Sequence, residues 1–435
     1  MQLIKMLSGY KRMKKNRVVF QNLKNNSNLR NGMLFTLFSF LNNGFSFVIT
    51  LIMGRFILPD SYGQLSMFTT MISFFSIFIC LGTNGFIGVE YFKSEKEKVC
   101  RLINVTIMST FLVYLVLIVS VFTFSTHLSN LIGLKLEFQF YAVSVCLLQI
   151  LQYILMDIWR LEEKVISYGM LTTAGVLLNL ILTVVFVVGI HWDWEGRVYA
   201  HIISCLVLGI TSVYILFKKQ YLRKTLPSKY EVVESLKFGL PLIPHSMSFW
   251  MRQGADRYII NYFITQAAVG FFSFAYNFAN IIQMIGNAFN ASNSVNIYKI
   301  LSSDDVNKLT RVQKECKLLT VIYIGVTVLV FLGGYIFIPI IFPKYEASIV
   351  FLFPLCIGAM LQCFYLTYVN ILFFYKRSKN LMCITFGISL FHFFLSFIVT
   401  RYGVIYTSFV IVISNGIIAI LVYFYSSRLL TRYSN

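Results

Sequence analysis

Apolar residues fill twelve long stretches of the chain, and short polar segments separate them. A transmembrane helix needs roughly 20 predominantly apolar residues, or a few more if it is tilted, and each stretch meets that length. The stretches lie at 31–53, 64–86, 103–124, 138–158, 168–190, 198–217, 238–263, 267–292, 317–341, 347–374, 381–400 and 403–426. This pattern predicts an all-α polytopic membrane protein with about twelve transmembrane helices.

Positive charge alternates between the polar segments. Thirty of the 37 lysines and arginines lie in the two tails and in the loops that follow even-numbered spans. Five lie in the loops that follow odd-numbered spans, namely Arg55, Lys135, Arg197, Lys344 and Arg401. Because cytoplasmic loops are enriched in Lys and Arg, we predict that both termini are cytoplasmic. The same asymmetry accounts for the net charge of +20, so we expect no nucleic-acid partner.

Composition supports a membrane protein and argues against several other classes. The chain is 57% hydrophobic and 12% charged, with a mean hydropathy of +0.74, whereas a soluble domain carries roughly 25% charge. Its eight cysteines stand singly without a CxxC motif, which predicts neither disulfides nor a metal site. The sequence contains no nucleotide-binding motif and no catalytic constellation, so we expect a secondary transporter, not an enzyme.

A short segment recurs near the start of each half of the chain. Asp60–Phe68 reads DSYGQLSMF and Ala267–Ala275 reads AAVGFFSFA, so that Gly63 aligns with Gly270. Since each half then holds six spans and enters the membrane from the same side, we predict two parallel six-helix bundles with the substrate site between them. The predicted organisation is a basic cytoplasmic tail (1–30), an N-terminal bundle (31–217), a cytoplasmic linker (218–237), a C-terminal bundle (238–427) and a cytoplasmic tail (428–435).

Span 7 carries three ionisable residues, Arg252, Asp256 and Arg257. Each ionised side chain near the bilayer centre costs at least ~2.5–3.5 kcal/mol on insertion scales, so these residues need a partner or a function. Arg252 lies near the middle of the span and four residues before Asp256, so the two can pair on one helical face. We predict that all three face a water-filled cavity and bind substrate. For Arg257 the alternative is that it reaches the outer headgroups.

Span 8 carries five amides, in the segment AYNFANIIQMIGNAFNASN. They are Asn277, Asn280, Gln283, Asn287 and Asn290. At 3.6 residues per turn these positions fall within an arc of about 140°, which is one face of a helix. Five amides in a row favour a polar cavity lining that binds sugar hydroxyls, although helix packing is the alternative for one or two of them.

Other polar residues in the spans are weaker candidates for the cavity. They are Asn42, Asn43, Arg55, Gln149, Gln152 and His245. Gln362, Asn370 and His392 are more typical of helix packing. Pro241 and Pro244, in the segment GLPLIPHS, predict a kink or a movable end near the start of span 7.

Two segments resemble bacterial polysaccharide repeat-unit flippases of the Wzx type. One is GRFILPDSYGQLSMFTTMISFFSIFICLG in spans 1–2, and the other is GLPLIPHSMSFWMRQGADRYIINYFITQAAVGFFSFAYN in spans 7–8. These flippases belong to the MATE-like multidrug/oligosaccharidyl-lipid/polysaccharide superfamily, whose fold is two six-helix bundles around a central cavity. The similarity extends over residues 31–427. The basic tail before span 1 departs from the family pattern and would either bind anionic lipid or be untranslated.

The resemblance implies a flippase that moves an undecaprenyl-diphosphate-linked oligosaccharide from the cytoplasmic to the outer leaflet of the bacterial cytoplasmic (inner) membrane. Such a protein serves the synthesis of O-antigen, lipopolysaccharide or capsule. It implies alternating access driven by an H+ or Na+ gradient, with no bound cofactor. Membrane lipid, a polysaccharide polymerase and a chain-length regulator are the expected partners.

The resemblance also gives expected roles to the span-7 residues. Arg252 would hold the diphosphate bidentately, Asp256 would orient Arg252 or carry the coupling proton, and span 8 would contact sugar. Two alternatives remain. A cation-coupled multidrug exporter of the same superfamily usually has acidic cavity residues, whereas the deepest charge here is that of Arg252. A membrane glycan polymerase or ligase usually has a large outer loop, and the outer loops here are short.

Overall fold

The computed structural model describes residues 27–303 and 307–432 of the chain. Most of the predicted N-terminal tail (1–26) and the last three residues lie outside the described part. The described residues form sixteen α-helices. They are α1 (Ser27–Phe56), α2 (Pro59–Phe78), α3 (Thr83–Glu90), α4 (Lys96–Thr123), α5 (Ser125–Ile132), α6 (Leu136–Leu161), α7 (Val165–Thr183), α8 (Asp193–Lys218), α9 (Lys229–Gly239), α10 (Leu242–Gln253), α11 (Ala255–Phe263), α12 (Gln266–Leu301), α13 (Lys308–Ile341), α14 (Ile349–Phe374), α15 (Ser378–Val399) and α16 (Val404–Arg432).

The twelve predicted spans coincide with helices or with broken pairs of helices. Among the described residues, ten helices are individually long and apolar enough to cross a membrane, and the pair α2–α3, bent by 55°, makes an eleventh span. The remaining predicted span is α10–α11, whose two parts are short and carry polar residues. The prediction of an all-α polytopic membrane protein is confirmed.

Span 7 is interrupted twice. The linker helix α9 ends at Gly239 and α10 begins at Leu242, with Pro241 between them, so the first interruption lies at one of the two prolines for which a kink or a movable end was predicted. A second break, which the sequence did not predict, lies at Gly254 between α10 and α11. The backbone there packs closely on the preceding turn, since a Cβ at position 254 would lie 2.8 Å from the indole nitrogen of Trp250.

The two halves of the protein meet where α2 crosses α12, at the aligned glycines of the repeat. A Cβ on Gly63 would collide with the carbonyl oxygen of Gln266, and a Cβ on Gly270 would collide with that of Pro59. Each carbonyl belongs to the residue four positions before the other glycine. The contact is therefore symmetric between the halves, and it needs glycine on both sides because any side chain would separate the backbones.

Hydrogen bonds join the halves beside this crossing. We call the region formed by Tyr62–Gln64 and Gln266–Asn277 the outer seam, after the side of the membrane on which the predicted topology would place it. The Asn277 amide donates to the Tyr62 hydroxyl at 2.6 Å, and the Gln64 amide donates to the Gln266 side-chain oxygen at 3.2 Å. Nearby, the Tyr345 hydroxyl of the C-terminal half donates to the Ile57 carbonyl at 3.2 Å. The two halves are thus joined here by direct backbone contact and by side-chain hydrogen bonds.

A second contact region lies at the opposite end of α2, where α9 packs on α3 and α4. There the Arg101 Nε atom donates to Glu231 Oε1 at 2.8 Å. Burial acts to raise the pKa of Glu231, but hydrogen bonds from the Ser228 backbone and from Arg101 outweigh burial, so this pKa is lowered. The linker is therefore held on the N-terminal half by a charged carboxylate.

Candidate functional site

A cavity of about 340 Å³ lies between the two halves, further along α2 from the glycine crossing. Its walls come from α2, α10, the break at Gly254, α11 and α12. The lining residues are Thr69, Thr70, Ser73, Ile77, Ser246, Phe249, Trp250, Gln253, Gly254, Arg257 and Tyr276. Hydroxyls and one guanidinium share this wall with aromatic rings, which is the mixture expected of a site for a polar ligand.

Arg257 is the basic side chain in the cavity wall. Its Nε atom donates to the Ser273 hydroxyl at 3.1 Å, Nη1 donates to the Gln253 carbonyl, and the guanidinium carbon lies 4.7 Å from the centre of the Tyr276 ring. These contacts fix the orientation of the side chain. Within the described part of the chain no carboxylate pairs with it, so its positive charge is available to an anion in the cavity.

Arg252 does not line the cavity, and the prediction that it faces water is wrong. Its side chain is 5% exposed and lies inside the C-terminal half. Nε donates to the Ser389 hydroxyl at 2.9 Å, and Nη1 donates to Asn415 Oδ1 at 3.1 Å and to Gln362 Oε1 at 3.4 Å. The prediction rested on the depth of Arg252 in span 7, which does not fix the direction of the side chain, and α10 packs this face against α15.

Asp256 is also buried, and its partner is His392 of α15. The side chain of Asp256 is 2% exposed and that of His392 is 1% exposed, and both carboxylate oxygens lie 3.2 Å from His392 Nε2. The predicted pair of Arg252 with Asp256 is absent from the ion pairs of the described residues. The break at Gly254 explains this, because residues i and i+4 share a face only along a continuous helix. Of the three charged residues of span 7, the structure brings Arg257 alone to the cavity wall.

The five amides of α12 do not act as one surface. Asn277 contacts Tyr62 of the N-terminal half, whereas Asn290 accepts a hydrogen bond of 2.7 Å from Asn370 of α14. Asn280 and Gln283 are half-buried and Asn287 is exposed. None of the five lines the 340 Å³ cavity. Asn277 and Asn290 therefore take part in helix packing, as the alternative reading expected. No packing contact of this kind is seen for Asn280, Gln283 and Asn287 among the described residues.

The weaker candidates lie outside the cavity wall. Asn42 accepts a hydrogen bond of 2.9 Å from Thr173, and the exposed Arg55 donates to the Ile341 carbonyl of the other half at 3.2 Å. His245 is exposed and its ring lies against Phe249. Half-buried positions are occupied by Asn43, Gln149 and Gln152.

One polar cluster was missed because its arginine was counted with an outer loop. Arg197 lies in the second turn of α8 and donates from Nη1 to Asn179 Oδ1 of α7 at 2.6 Å. The Asn179 amide in turn lies 3.2 Å from His201 Nδ1. The spacing of Arg197 and His201, four residues apart at the start of a span, was the available sequence signal. This cluster joins α7 to α8 within the N-terminal half.

Comparisons with known proteins define the family. Residues 28–294 match the family described as "Polysaccharide biosynthesis protein". The match covers more than half of the chain, so the protein belongs to that family. It is 22% identical over 326 residues to the "Lsg locus putative protein 1" of Haemophilus influenzae, covering 74% of this chain and 78% of that protein. An "Uncharacterized membrane protein" of the same organism is 24% identical over 238 residues, covering 53% of this chain and 55% of that protein.

Solved structures with the same fold are transporters. The inward-facing conformation of a multidrug resistance MATE family transporter superposes with a TM-score of 0.73 at 17% identity, covering 91% of this chain and 95% of that one. The outward-facing conformation of a MATE family transporter gives 0.63 at 16% identity, covering 92% and 96%. The protein therefore has the MATE-like fold and is a multi-pass membrane protein of the polysaccharide biosynthesis family.

Proposed function

We propose that the protein flips a lipid-linked saccharide from the cytoplasmic to the outer leaflet of a bacterial inner membrane, with both termini in the cytoplasm. The observation that carries this proposal is the unneutralised guanidinium of Arg257 in a hydroxyl-lined cavity between the halves. An undecaprenyl-diphosphate-linked oligosaccharide combines an anionic head with a polar glycan. Arg binds phosphate oxygens through its planar fork of donors, and hydroxyls and amides bind sugars.

In this proposal Arg257 takes the diphosphate role that the sequence assigned to Arg252. Arg252 donates hydrogen bonds to three acceptors of its own half. It therefore acts as a positioning residue that holds α10 in place. The accessible amides of α12, Asn280, Gln283 and Asn287, contact the glycan. The cavity is sized for a head group, so the polyprenyl tail stays in the bilayer beside the protein.

We further propose that the described conformation is closed on the outer side. The support is the outer seam, in which backbone atoms of α2 and α12 touch and Tyr62 bonds Asn277. Alternating access then requires this seam to part while the inner side closes. Coupling to an ion gradient supplies the free energy for that exchange.

Complementation of a deletion strain tests the assignment. Charge-assisted hydrogen bonds contribute about 1.5–3 kcal/mol, so Arg257→Ala should lower transport by roughly 10- to 150-fold and abolish surface glycan at an unchanged protein level. Arg257→Lys keeps the charge and should retain part of the activity. Arg401→Ala, an exposed arginine outside the cavity wall, is the matched control and should support full glycan.

The outcome also separates the alternative functions. Wild-type surface glycan in Arg257→Ala would contradict the proposed role of the cavity. Normal glycan in the deletion strain together with sensitivity to cationic dyes would favour the multidrug exporter. Accumulation of single repeat units on the surface would favour the polymerase.

A further inference from the structure

A second cavity of about 340 Å³ lies where the linker between the two halves packs on α4. Three residues of α4 and three of the linker line it, and they are Asn104, Ile107, Met108, Lys224, Thr225 and Leu226. We call this cavity the linker pocket. The transport scheme above does not use it.

The linker is held on α4 on both sides of the pocket. The Asn104 amide donates to the carbonyl oxygens of Arg223 and Thr225, at 2.9 and 2.7 Å. Tyr221, which precedes the pocket in the chain, is buried. Ser228, which follows the pocket, accepts a hydrogen bond from the first turn of α9 and caps that helix. The wall that the linker contributes is therefore preformed, which lowers the cost of ordering it when a ligand binds.

The linker gives the pocket a positive charge. Residues 218–237 include six basic and two acidic side chains. Both acidic side chains are already engaged, because Glu231 pairs with Arg101 at 2.8 Å and Glu234 accepts a hydrogen bond within its own helix. Lys224 is exposed, and within the described part of the chain it forms no ion pair with a carboxylate. An anion can therefore reach Lys224 without displacing an acidic partner.

The other side of the pocket is apolar and continues along α4. Met108 is exposed, and so are Phe111 and Leu112 one turn further along the helix. Leu226 is 86% exposed, a larger fraction than that of any other large apolar side chain among the described residues. Exposed apolar surface of this kind marks contact with a membrane or another partner. Because Leu226 stands two residues after Lys224, the linker offers a cation and an apolar side chain to the same ligand.

The pocket lies at the depth of the lipid head groups. Asn104 is the second residue of the third predicted span, 103–124, so α4 enters the hydrocarbon beside the pocket. Basic residues immediately outside a span attract anionic lipid head groups, and a lysine at this depth extends its amine toward them. The apolar wall below Lys224 then lies where the acyl chains begin.

We propose that the linker pocket binds a phospholipid with a net negative head group, such as phosphatidylglycerol. Its phosphate lies on Lys224, and its acyl chains follow Met108, Phe111 and Leu112 of α4. The proposed orientation places this lipid in the cytoplasmic leaflet, and the site itself does not depend on which substrate is transported. The bound lipid bridges α4 and the linker, so it stabilises the attachment of the linker to the N-terminal half.

Charge and apolar surface together select this ligand. Arg223 and Lys229, which flank the pocket in the chain, are also exposed, so they would repel the cationic amine of a zwitterionic head group. A soluble phosphate would bind Lys224 equally well, but it would bury neither Met108 nor Leu226. An anionic phospholipid uses both parts of the pocket.

Photo-crosslinking of the full chain in lipid nanodiscs tests the proposal. The probe is phosphatidylglycerol with a diazirine near the glycerol end of one acyl chain, and peptide mass spectrometry locates the attached lipid. We expect labelling of Met108 and Leu226 that excess phosphatidylglycerol removes and excess phosphatidylcholine does not. Leu318 is the internal control, because it is exposed at the start of the predicted span 317–341 and follows Lys317. Its labelling should fall equally with either competing lipid.

Variants assign the labelling to the lysine of the pocket. Lys224→Gln should lower the labelling of Leu226 relative to Leu318 by roughly fivefold, the factor that one basic side chain contributes near an anionic surface. Lys224→Arg keeps the charge and should retain the labelling. Lys237→Gln, an exposed lysine of α9 outside the pocket wall, is the matched control and should leave the labelling unchanged.

Several results would overturn the proposal. They are equal competition by phosphatidylcholine at Leu226, unchanged labelling in Lys224→Gln, and an equal loss in Lys237→Gln, which would indicate general surface charge. Competition by soluble glycerol phosphate would assign the pocket to a free phosphate and would also contradict it. None of these measurements involves a saccharide, so their outcome is independent of the glycan assay with Arg257→Ala.

Discussion

The symmetric glycine contact of the outer seam gives a prediction about transport states. Gly63→Ala or Gly270→Ala places a Cβ against a backbone carbonyl, which cannot rotate away as a side chain can. Overpacking of this kind costs typically 1–3 kcal/mol. The gain in helix propensity, about 1 kcal/mol, applies to both the closed and the open state and cancels. The equilibrium between them should therefore move toward the outward-open state by roughly 5- to 150-fold.

Thiol accessibility measures this shift. Ser73 lines the cavity and is exposed, so Ser73→Cys reports on the cavity when the exposed Cys383 is replaced by Ser. A membrane-impermeant thiol reagent added to the outside of cells should modify position 73 faster in Gly63→Ala and Gly270→Ala than in the parent. Added to inside-out vesicles, it should react more slowly, because the two states exchange.

Matched glycines provide the controls. A Cβ at Gly387 or Gly325 meets no atom within 4 Å, so Gly387→Ala and Gly325→Ala carry the same propensity gain without the collision. The reasoning would be refuted by an outside rate that stays at the parent value, or by one that rises equally in the control variants. An increase from both sides would indicate general loosening and would also contradict it.

Two further predictions concern stability. Arg252→Met should lower the melting temperature and the amount of folded protein. The reason is that Ser389 and Asn415 lose a buried charged donor, and each such hydrogen bond contributes about 1.5–3 kcal/mol. An unchanged melting temperature would contradict the positioning role. The pKa of Glu231 is lowered in the folded state, so its stabilising contribution is present above its unfolded pKa of about 4.3 and is lost as pH falls through the folded value. The stability difference between the wild type and Glu231→Gln should accordingly shrink below about pH 4.3, and a difference that stays constant would refute the contribution of the bond with Arg101.

The fold was largely predictable because hydrophobic length and charge alternation are properties of sequence. The twelve apolar stretches predicted the helices, and the repeat around Gly63 and Gly270 predicted two similar halves. That these two glycines are in contact became visible only in the structure. The site was less predictable. The break at Gly254 interrupts the helix between Arg252 and Asp256. The predicted pairing of these two residues assumed a continuous helix, in which they would share one face.

Contacts between residues that are distant in sequence were also not predictable. His392 lies 136 residues from Asp256 in the chain, and its neighbours in sequence are apolar, so no local pattern indicates the pairing. Arg257 was ambiguous for a related reason. Its depth in the span allowed either the headgroups or the cavity, and the packing of Tyr276 and Ser273 around its guanidinium decided between them.

The glycine crossing also constrains how such a protein arises. A single six-helix unit with one glycine at this position would meet a second copy of itself across a twofold axis, glycine against glycine, so one residue would serve both surfaces of a homodimer. After gene duplication and fusion the two copies are free to diverge elsewhere in sequence. At the glycine crossing the two copies cannot diverge independently, because a side chain introduced in either copy would collide with the backbone of the other copy.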